Sequence, residues 1–309
     1  MDIRQLKYYS AIFEHKNLSH AAAACSVAQS AISHHLSNLE NDLGVLLFTR
    51  KPRGMEPTAA GIKLYEHAKL ILKAVTSAEQ DIRQASEIIA GDIAIGIPFS
   101  AMKAIGLPLM QAVLKDYPNV RLSIVESLSA NTFTHLLSSD VDISLFYNPP
   151  KDDRVTMRAI LEEDLLCVGK AAIIGDSNEP ITFEELKALP TLLLRHGVST
   201  RAVIDRPGLL SKLEAGIPLQ LNSVNGMITG LLAGLACTLA PHVFASEHLD
   251  AGDLHSRPII SPSLTRKLYV GHLKDRPATR LAEAMVTLLE SLIATEVDQG
   301  RWDARLTLS

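Results

Sequence analysis

The stretch from Leu18 to Gly44, LSHAAAACSVAQSAISHHLSNLENDLG, admits few folds. Its first part is short, Ala-rich and helix-favouring, and Ser19 stands where an N-cap acceptor would satisfy the orphan amides of a first turn. After a break at Ser26-Val27-Ala28, Ile32, Leu36, Leu39 and Leu43 recur at steps of 4, 3 and 4, which is one face of a second helix. The opposite face carries Ser30, His34, Ser37, Asn38 and Asn41, all polar. Two short helices joined by a tight turn are the helix-turn-helix plan, whose second helix enters a DNA major groove. An ordinary helical hairpin would share this periodicity. The next segment bears against that: LLFTRKPRGMEPT, Leu46 to Thr58, is an apolar run, then Arg50, Lys51 and Arg53 around Pro52 and Gly54, then Pro57. It reads as a hairpin with a cationic tip, which suits phosphate or minor-groove contact beside a reading helix.

Charge bounds how such a unit can work. The 309 residues carry a formal net charge of −4, which argues against a protein that coats nucleic acid. Within Met1–Thr58, six Lys and Arg stand against five Asp and Glu, so DNA affinity has to come from placement of charge rather than its sum. Three widely spaced cysteines, Cys25, Cys167 and Cys237, fit neither a disulfide framework nor a metal motif and read as small core residues. MDIRQLKYY has no secretory h-region, and the apolar run Ile228–Pro241 is too short and glycine-broken to span a bilayer. The expectation is a cytoplasmic protein with no membrane association and no cofactor.

In chain order, Ile3 to Lys16 forms a first helix whose Leu6, Tyr9, Ile12 and Phe13 cover the helix-turn-helix core. Thr58 caps a long helix ending near Ala90, in which Leu64, Ala68, Ile71, Val75, Ala78, Ile82, Ala85 and Ile89 step by 4, 3, 4, 3, 4, 3, 4. A 3.5-residue period is a coiled-coil seam, and at 1.5 Å per residue the helix is roughly 50 Å long. The seam predicts pairing with a second chain, which places two reading helices about a two-fold axis and makes the operator a broken palindrome.

Gly91 changes the pattern. GDIAIGIP, VRLSIVES and VDISLFY are strands separated by helices, the first of them Ala101–Asp116, which predicts βαβ units and a mostly parallel sheet. A second round runs DLLCVG, a helix near Phe183–Ala188, TLLL, a helix at Ser199–Ala215, LQLNSV and a helix at Gly226–Ala236. RKLYVGHL and a helix at Thr279–Val297 return to the first unit. Two lobes joined by crossings near Leu161 and Thr265 make a hinged pair with a ligand cleft between them. The fold class is therefore α plus α/β: a winged helix-turn-helix at 1–58, a linker and dimerisation helix at 59–90, and a two-lobed sensor at 91–309. Lobe I takes 91–161 and 268–309, and lobe II takes 162–267.

LKYYSAI, SHAAAACSVAQSAISHHLSNLENDLGVLLFTR and RGMEPTAAG together resemble the winged helix-turn-helix of LysR-type transcriptional regulators, a specific combined pattern. The resemblance extends more weakly over the whole chain, and the sensor resembles the family's periplasmic-binding-protein-like effector domain. GIPFS, VESLS and LEEDLLCVG look most like the nitrogen-assimilation-control subgroup. The resemblance implies a sequence-specific regulator binding double-stranded DNA, modulated by a small-molecule effector, dimeric through its linker and tetrameric through its sensors. RNA polymerase is a partner where such a protein activates.

Residue by residue, the resemblance puts Gln29, Ser30, Ser33 and His34 at the start of the reading helix, and Arg50, Lys51 and Arg53 on the wing. Gln29 could pair with both groups of an adenine edge. Ser30 stands where the family usually has Pro, and Ser37-Asn38 where basic residues are common, so up to two phosphate contacts are missing. In the sensor, Phe99 and Ser100 close the first strand, and Ser100 resembles a frequent hydroxyl contact at a helix start. A helix start favours anions, which makes a carboxylate effector the expectation. Ser129, Tyr147 and Asn148 end later elements, and Arg195, His196, Ser199 and Thr200 end a strand and open a helix in the second lobe. Two rivals remain. An α/β enzyme lacks support, since no GxSxG elbow, P-loop or GxGxxG follows a strand. A ligand-binding module without DNA binding would make the first 58 residues an assembly piece.

Overall fold

The computed structural model describes residues 1–52, 54–83, 89–194, 219, 221–275 and 279–307, which fall into two compact units, Met1–Glu87 and Ile88–Ser309. The first unit opens with α1 (Ile3–His15), α2 (Leu18–Ala24) and α3 (Gln29–Leu43). A hairpin of β1 (Phe48–Lys51) and β2 (Gly54–Pro57) follows, then α4 (Ala59–Arg83). Leu6, Tyr9 and Ile12 of α1 meet Ile32, Leu36 and Leu39 of α3 in a buried core with Leu47, Phe48 and Met55 from the hairpin. Each such side chain contributes about 1.5–3 kcal/mol relative to exposure. Leu43, the last position of the apolar face read from sequence, is exposed because α3 there runs past the core towards Gly44. Gly44 ends the helix in the left-handed region at φ 68°, where a side chain is disfavoured.

The cap of α2 differs from the sequence expectation. Asn17 is the N-cap, its side chain accepting from the amides of Ser19 and His20 at 2.8 and 3.1 Å. Ser19 therefore sits inside the helix with its hydroxyl left over for another partner. Thr58 does cap α4, accepting from the Gly61 amide at 3.0 Å while donating to Leu46 O. Tyr9 donates its hydroxyl to Gly61 O, and burial pushes that phenol well above its ordinary range.

The heptad seam of α4 is divided. Ala68 is fully buried in the unit's own core and Leu64 and Ile71 pack partly against it, so Ala68 has no surface to give a second chain. Ala78 and Ile82 are exposed, Ile82 to 77%, and Val75 is half-buried. Ile62, Leu70 and Ala74 are exposed as well, and Leu70, Ala74, Ala78 and Ile82 recur every fourth residue as an outward apolar row. Ala85 lies outside the described residues. Ile89 belongs to the second unit, packed on its core.

The second unit holds two sheets. The first is built from β3 (Gly91–Pro98), β4 (Val120–Ser127), β5 (Ile143–Tyr147), β6 (Val155–Asp164), β11 (Thr265–Leu273) and β12 (Arg305–Leu306), in the order β12–β6–β11–β5–β3–β4. β3 is parallel to β4 and β5, while β11 is antiparallel to β5 and β6, so the sheet is mixed rather than mostly parallel. The reason is the return strand: β11 re-enters the sheet between β5 and β6, beside the strand that left it. Helices α5 (Phe99–Asp116), α6 (Ser129–Leu137) and α11 (Arg280–Asp298) accompany this sheet. Ile95, Ile97, Ile105, Leu109, Leu145, Met285 and Leu289 fill the core that α5 and α11 share with it.

The second sheet is built from β7 (Leu166–Gly169), β8 (Ile181–Thr182), β9 (Thr238–Ala240) and β10 (His255–Ile260), in the order β8–β10–β7–β9. Here too the predicted parallel round is replaced, since β7 pairs antiparallel with both β10 and β9. TLLL and the segment around Leu221 contribute isolated parallel bridges, Thr191 to Cys237 and Leu194 to Leu221. Its helices are α7 (Ala171–Ile174), α8 (Phe183–Lys187), α9 (Val224–Leu232) and α10 (Ser246–Asp250), with a 3-10 turn at His242–Phe244. The predicted helix at Ser199–Ala215 lies outside the described residues. Among the described residues, no helix is long and apolar enough to cross a membrane.

β6 and β11 carry the chain between the two sheets side by side. Leu161 and Leu268 belong to the core of the first, and Leu165 and Leu264 to that of the second, with Leu165 N donating to Leu264 O at 2.8 Å. Between them stands a buried polar cluster. Glu163, fully buried, accepts from Arg266 Nε at 2.7 Å through one oxygen and from the Trp302 indole at 2.8 Å through the other.

Candidate DNA-reading surface and effector cleft

The start of α3 gathers the predicted DNA residues on one exposed stretch. Gln29, Ser30 and His34 are exposed and Ser33 is half-buried. Ala28 is the N-cap and has no side chain to give, so the first amides of α3 have no side-chain cap. That end is a ready anion site, one that a DNA phosphate fits. His34 Nε2 lies 3.2 Å from Asn38 Nδ2, which fixes the ring along the helix, while His35 packs edge-on against Tyr8. Asn38 therefore orients the His34 ring, where sequence reading saw only a missing phosphate contact.

Glu40 ties the wing to this helix. One of its oxygens accepts from the amides of Leu47 and Phe48, at 2.7 and 3.2 Å, immediately before the hairpin. At the hairpin's far end Gly54 has φ 132°, and a Cβ there would run into Lys16 O, the acceptor for Met55 N at 2.8 Å. Arg50 is exposed and has no ion pair among the described residues, whereas Lys51 is shared with Glu56 at 3.6 Å. Arg53 lies outside the described residues. Sequence reading also missed Ser19: its hydroxyl donates to Gln29 Oε1 at 3.0 Å across the turn. The signal was present as a serine left uncommitted once Asn17 is recognised as the cap.

In the second unit a cleft of about 610 Å³ of empty space, its open mouth included, lies between the two sheets' cores. Phe99, Ser100, Ser129 and Tyr147 line it, as do Leu194, Met227, Thr238 and Phe244 from the far side. Asn148 does not. Its backbone sits at φ 41° and its side chain accepts from Lys267 N at 2.9 Å, so it closes the end of the β5–β11 pair. Arg195, His196, Ser199 and Thr200 lie outside the described residues. The aromatic rings of Phe99 and Phe244 meet edge-on at 6.0 Å, and Lys103 reaches Glu247 at 3.5 Å, joining α5 to the opposite side.

The polar groups of the cleft divide into spent and free. Ser129 Oγ accepts from Tyr147 N at 2.6 Å and donates to Tyr147 O at 3.3 Å, a clip between α6 and β5. Thr238 donates to Leu192 O at 2.8 Å. Ser100, 6% exposed, has no side-chain hydrogen bond among the described residues. It stands in the first turn of α5, whose N-cap Pro98 supplies no side chain, and α6 likewise starts from an uncapped Leu128. Arg266 also lines the cleft, a residue sequence reading treated as the start of a strand. Its guanidinium lies 3.6 Å from the centre of the Tyr147 ring, and Glu163 balances its charge. Burial, opposed by Arg266 and reinforced by Glu163, holds the Tyr147 hydroxyl well above its usual range.

Two family models match this chain: the bacterial regulatory helix-turn-helix protein, lysR family, over residues 3–62, and the LysR substrate binding domain over residues 87–293. The nitrogen assimilation regulatory protein nac of Klebsiella aerogenes is 28% identical over 295 residues, covering 95% of this chain and 96% of that protein. Among solved structures, a full-length OxyR point variant from Pseudomonas aeruginosa superposes with a TM-score of 0.69 at 20% identity, over 95% of this chain and 94% of that one. Full-length CbnR in complex with its target DNA does so with a TM-score of 0.64 at 22% identity, over 94% and 100%. The chain belongs to the LysR family of transcriptional regulators, a helix-turn-helix DNA-binding domain followed by an effector-binding domain.

Proposed function

We propose that α3 lies in the major groove of operator DNA with Gln29, Ser30, Ser33 and His34 towards the bases, and that Arg50, Lys51 and Arg53 hold the phosphates or the adjacent minor groove. The observation that carries this is the uncapped start of α3, exposed and polar, pinned by Glu40 to a wing whose Arg50 is unpaired among the described residues. Residues 59–90 act as the linker that pairs two chains, through the outward row Leu70, Ala74, Ala78 and Ile82 rather than through Ala68. A second contact between sensors, for which the exposed Leu107, Met110 and Leu114 of α5 offer an apolar face, makes four chains. The operator then has broken two-fold symmetry.

A small-molecule effector occupies the cleft. Its body is apolar, matching Phe99, Met227 and Phe244, and a hydrogen-bonding group meets Ser100 and the first amides of α5. A carboxylate fits those amides; the balanced Arg266 leaves that charge optional. Occupancy changes how the lobes close, and through the linkers the spacing and bend of the bound DNA. The protein works in the cytoplasm, without catalysis of its own, and meets RNA polymerase where it activates.

Fluorescence anisotropy on duplex DNA from upstream of its own start codon, against unrelated duplex across a salt series, tests the reading. Specific binding by a two- or four-chain species is expected, weakening as salt rises with a slope flattened by the missing basic pair at Ser37-Asn38. Equal affinity for both duplexes at every salt concentration contradicts it.

A further inference from the structure

Ser19 and Gln29 sit on different helices of the reading unit, and their side chains meet where α3 begins. The Ser19 hydroxyl donates to Gln29 Oε1 at 3.0 Å, and both residues are exposed. Neither side chain belongs to the buried core of the unit. Asn17 already serves the amides of α2, and Ile32, Leu36 and Leu39 hold α3 to the core. A hydroxyl can also accept from an amide N–H, but here it donates to the Gln29 oxygen, which leaves the amide NH₂ to serve another acceptor.

Base edges answer differently to such a group. Adenine shows a donor beside an acceptor in the major groove, so bidentate reading needs both the amide oxygen and the amide nitrogen. Guanine shows two acceptors, O6 and N7, and thymine shows O4. We infer that Ser19 is a positioning residue that sets the specificity of Gln29: by holding the amide oxygen, it makes Gln29 a donor that reads an acceptor edge, guanine before thymine, rather than adenine. This rests on Gln29 being a base contact, as proposed above.

The test is selection of bound duplexes from a random-sequence pool by the full-length protein and its Ser19→Ala, Ser19→Thr and Gln29→Ala variants. The wild type should enrich guanine or thymine at one position per half-site, and Gln29→Ala should flatten that position. Ser19→Ala frees the amide to turn, so adenine there should rise by roughly threefold to tenfold, the worth of one hydrogen bond. Its salt dependence and total retention should be unchanged. Ser19→Thr, which keeps the hydroxyl, should restore the wild-type profile. A Ser19→Ala profile identical to the wild type, with Gln29→Ala still altered, overturns the inference while leaving Gln29 a reader. So does a uniform loss at all sequences, the mark of a merely structural serine, or adenine dominating the Gln29-sensitive position in the wild type. A Gln29→Ala profile identical to the wild type overturns the reading of Gln29 itself, and the role of Ser19 with it.

Discussion

Replacing Glu163 by Gln perturbs the joint between the two sheets while keeping the shape of the side chain. Glu163 is fully buried and its two oxygens serve two donors, Arg266 Nε at 2.7 Å and the Trp302 indole at 2.8 Å. Arg266 Nη2 lies 2.6 Å from the first oxygen, and Arg266 is 5% exposed. An amide has one acceptor atom, so one of the two donors then faces an NH₂ group, and the guanidinium loses its counter-charge. Removing one partner of a buried pair costs about 3–5 kcal/mol. In a unit of this size each kcal/mol moves the midpoint by about 2–4 °C, so Glu163→Gln should lower it by about 6–20 °C. The assay is built in: Trp302 is the single tryptophan of the chain and touches Glu163, so its fluorescence on heating reports this unit. Joint replacement by Glu163→Leu and Arg266→Met, which removes both charges, should recover part of the loss, the Trp302 indole N–H being left without its acceptor. A Glu163→Gln midpoint within about 2 °C of the wild type, against that expected range, would refute the reasoning.

Arg50→Ala should weaken binding to every duplex and reduce the log–log salt slope by about one, measured by anisotropy; an unchanged slope removes Arg50 from the phosphates. Ile82→Glu should give a folded protein of half the wild-type mass by light scattering, held only by the contact between sensors, whereas Ala68→Glu, which buries a charge in the unit's own core, should unfold that unit by circular dichroism. An unchanged mass for Ile82→Glu rejects the outward row. Arg154 beside Asp152 holds that carboxyl down to about 2, so Asp152 should titrate there by NMR. Its contribution is complete above the ordinary 3.8 and fades as the pH falls towards 2; titration at 3.8 would show that the pair does not form in solution.

Much of this was legible from period and composition. The strands GDIAIGIP and VRLSIVES stand at the residues read for them, because an apolar run bounded by turn residues has few other uses. Thr58 caps the helix read for it, and Thr279, read as the first residue of a helix, is that helix's cap. What sequence left hidden is partnership at a distance. The seam of α4 obeys a heptad, yet period cannot say that Ala68 faces α1 rather than a second chain. Nor can it say that β11 slips in beside β6 and makes the sheet mixed. Asn17 outcompeted Ser19 as a cap because it stands one residue before the helix, a shift within the ordinary reach of boundary reading. Glu163, Arg266 and Trp302 are far apart in the chain and met only through the return strand and the terminal turn after α11. In the cleft, Ser100 was legible at a strand-to-helix junction. Arg266 was not, since nothing in RKLYVGHL marks one cation as inward.

Hydroxyl-radical footprinting of the full-length protein on its selected duplex tests the central claim most directly. Two chains reading with paired α3 helices should protect two patches on one face of the DNA, separated by about 10 base pairs or a multiple of that, with the bases between them cleaved freely. One continuous patch, or even protection along the duplex, would contradict a dimeric reader built on α3 and its wing.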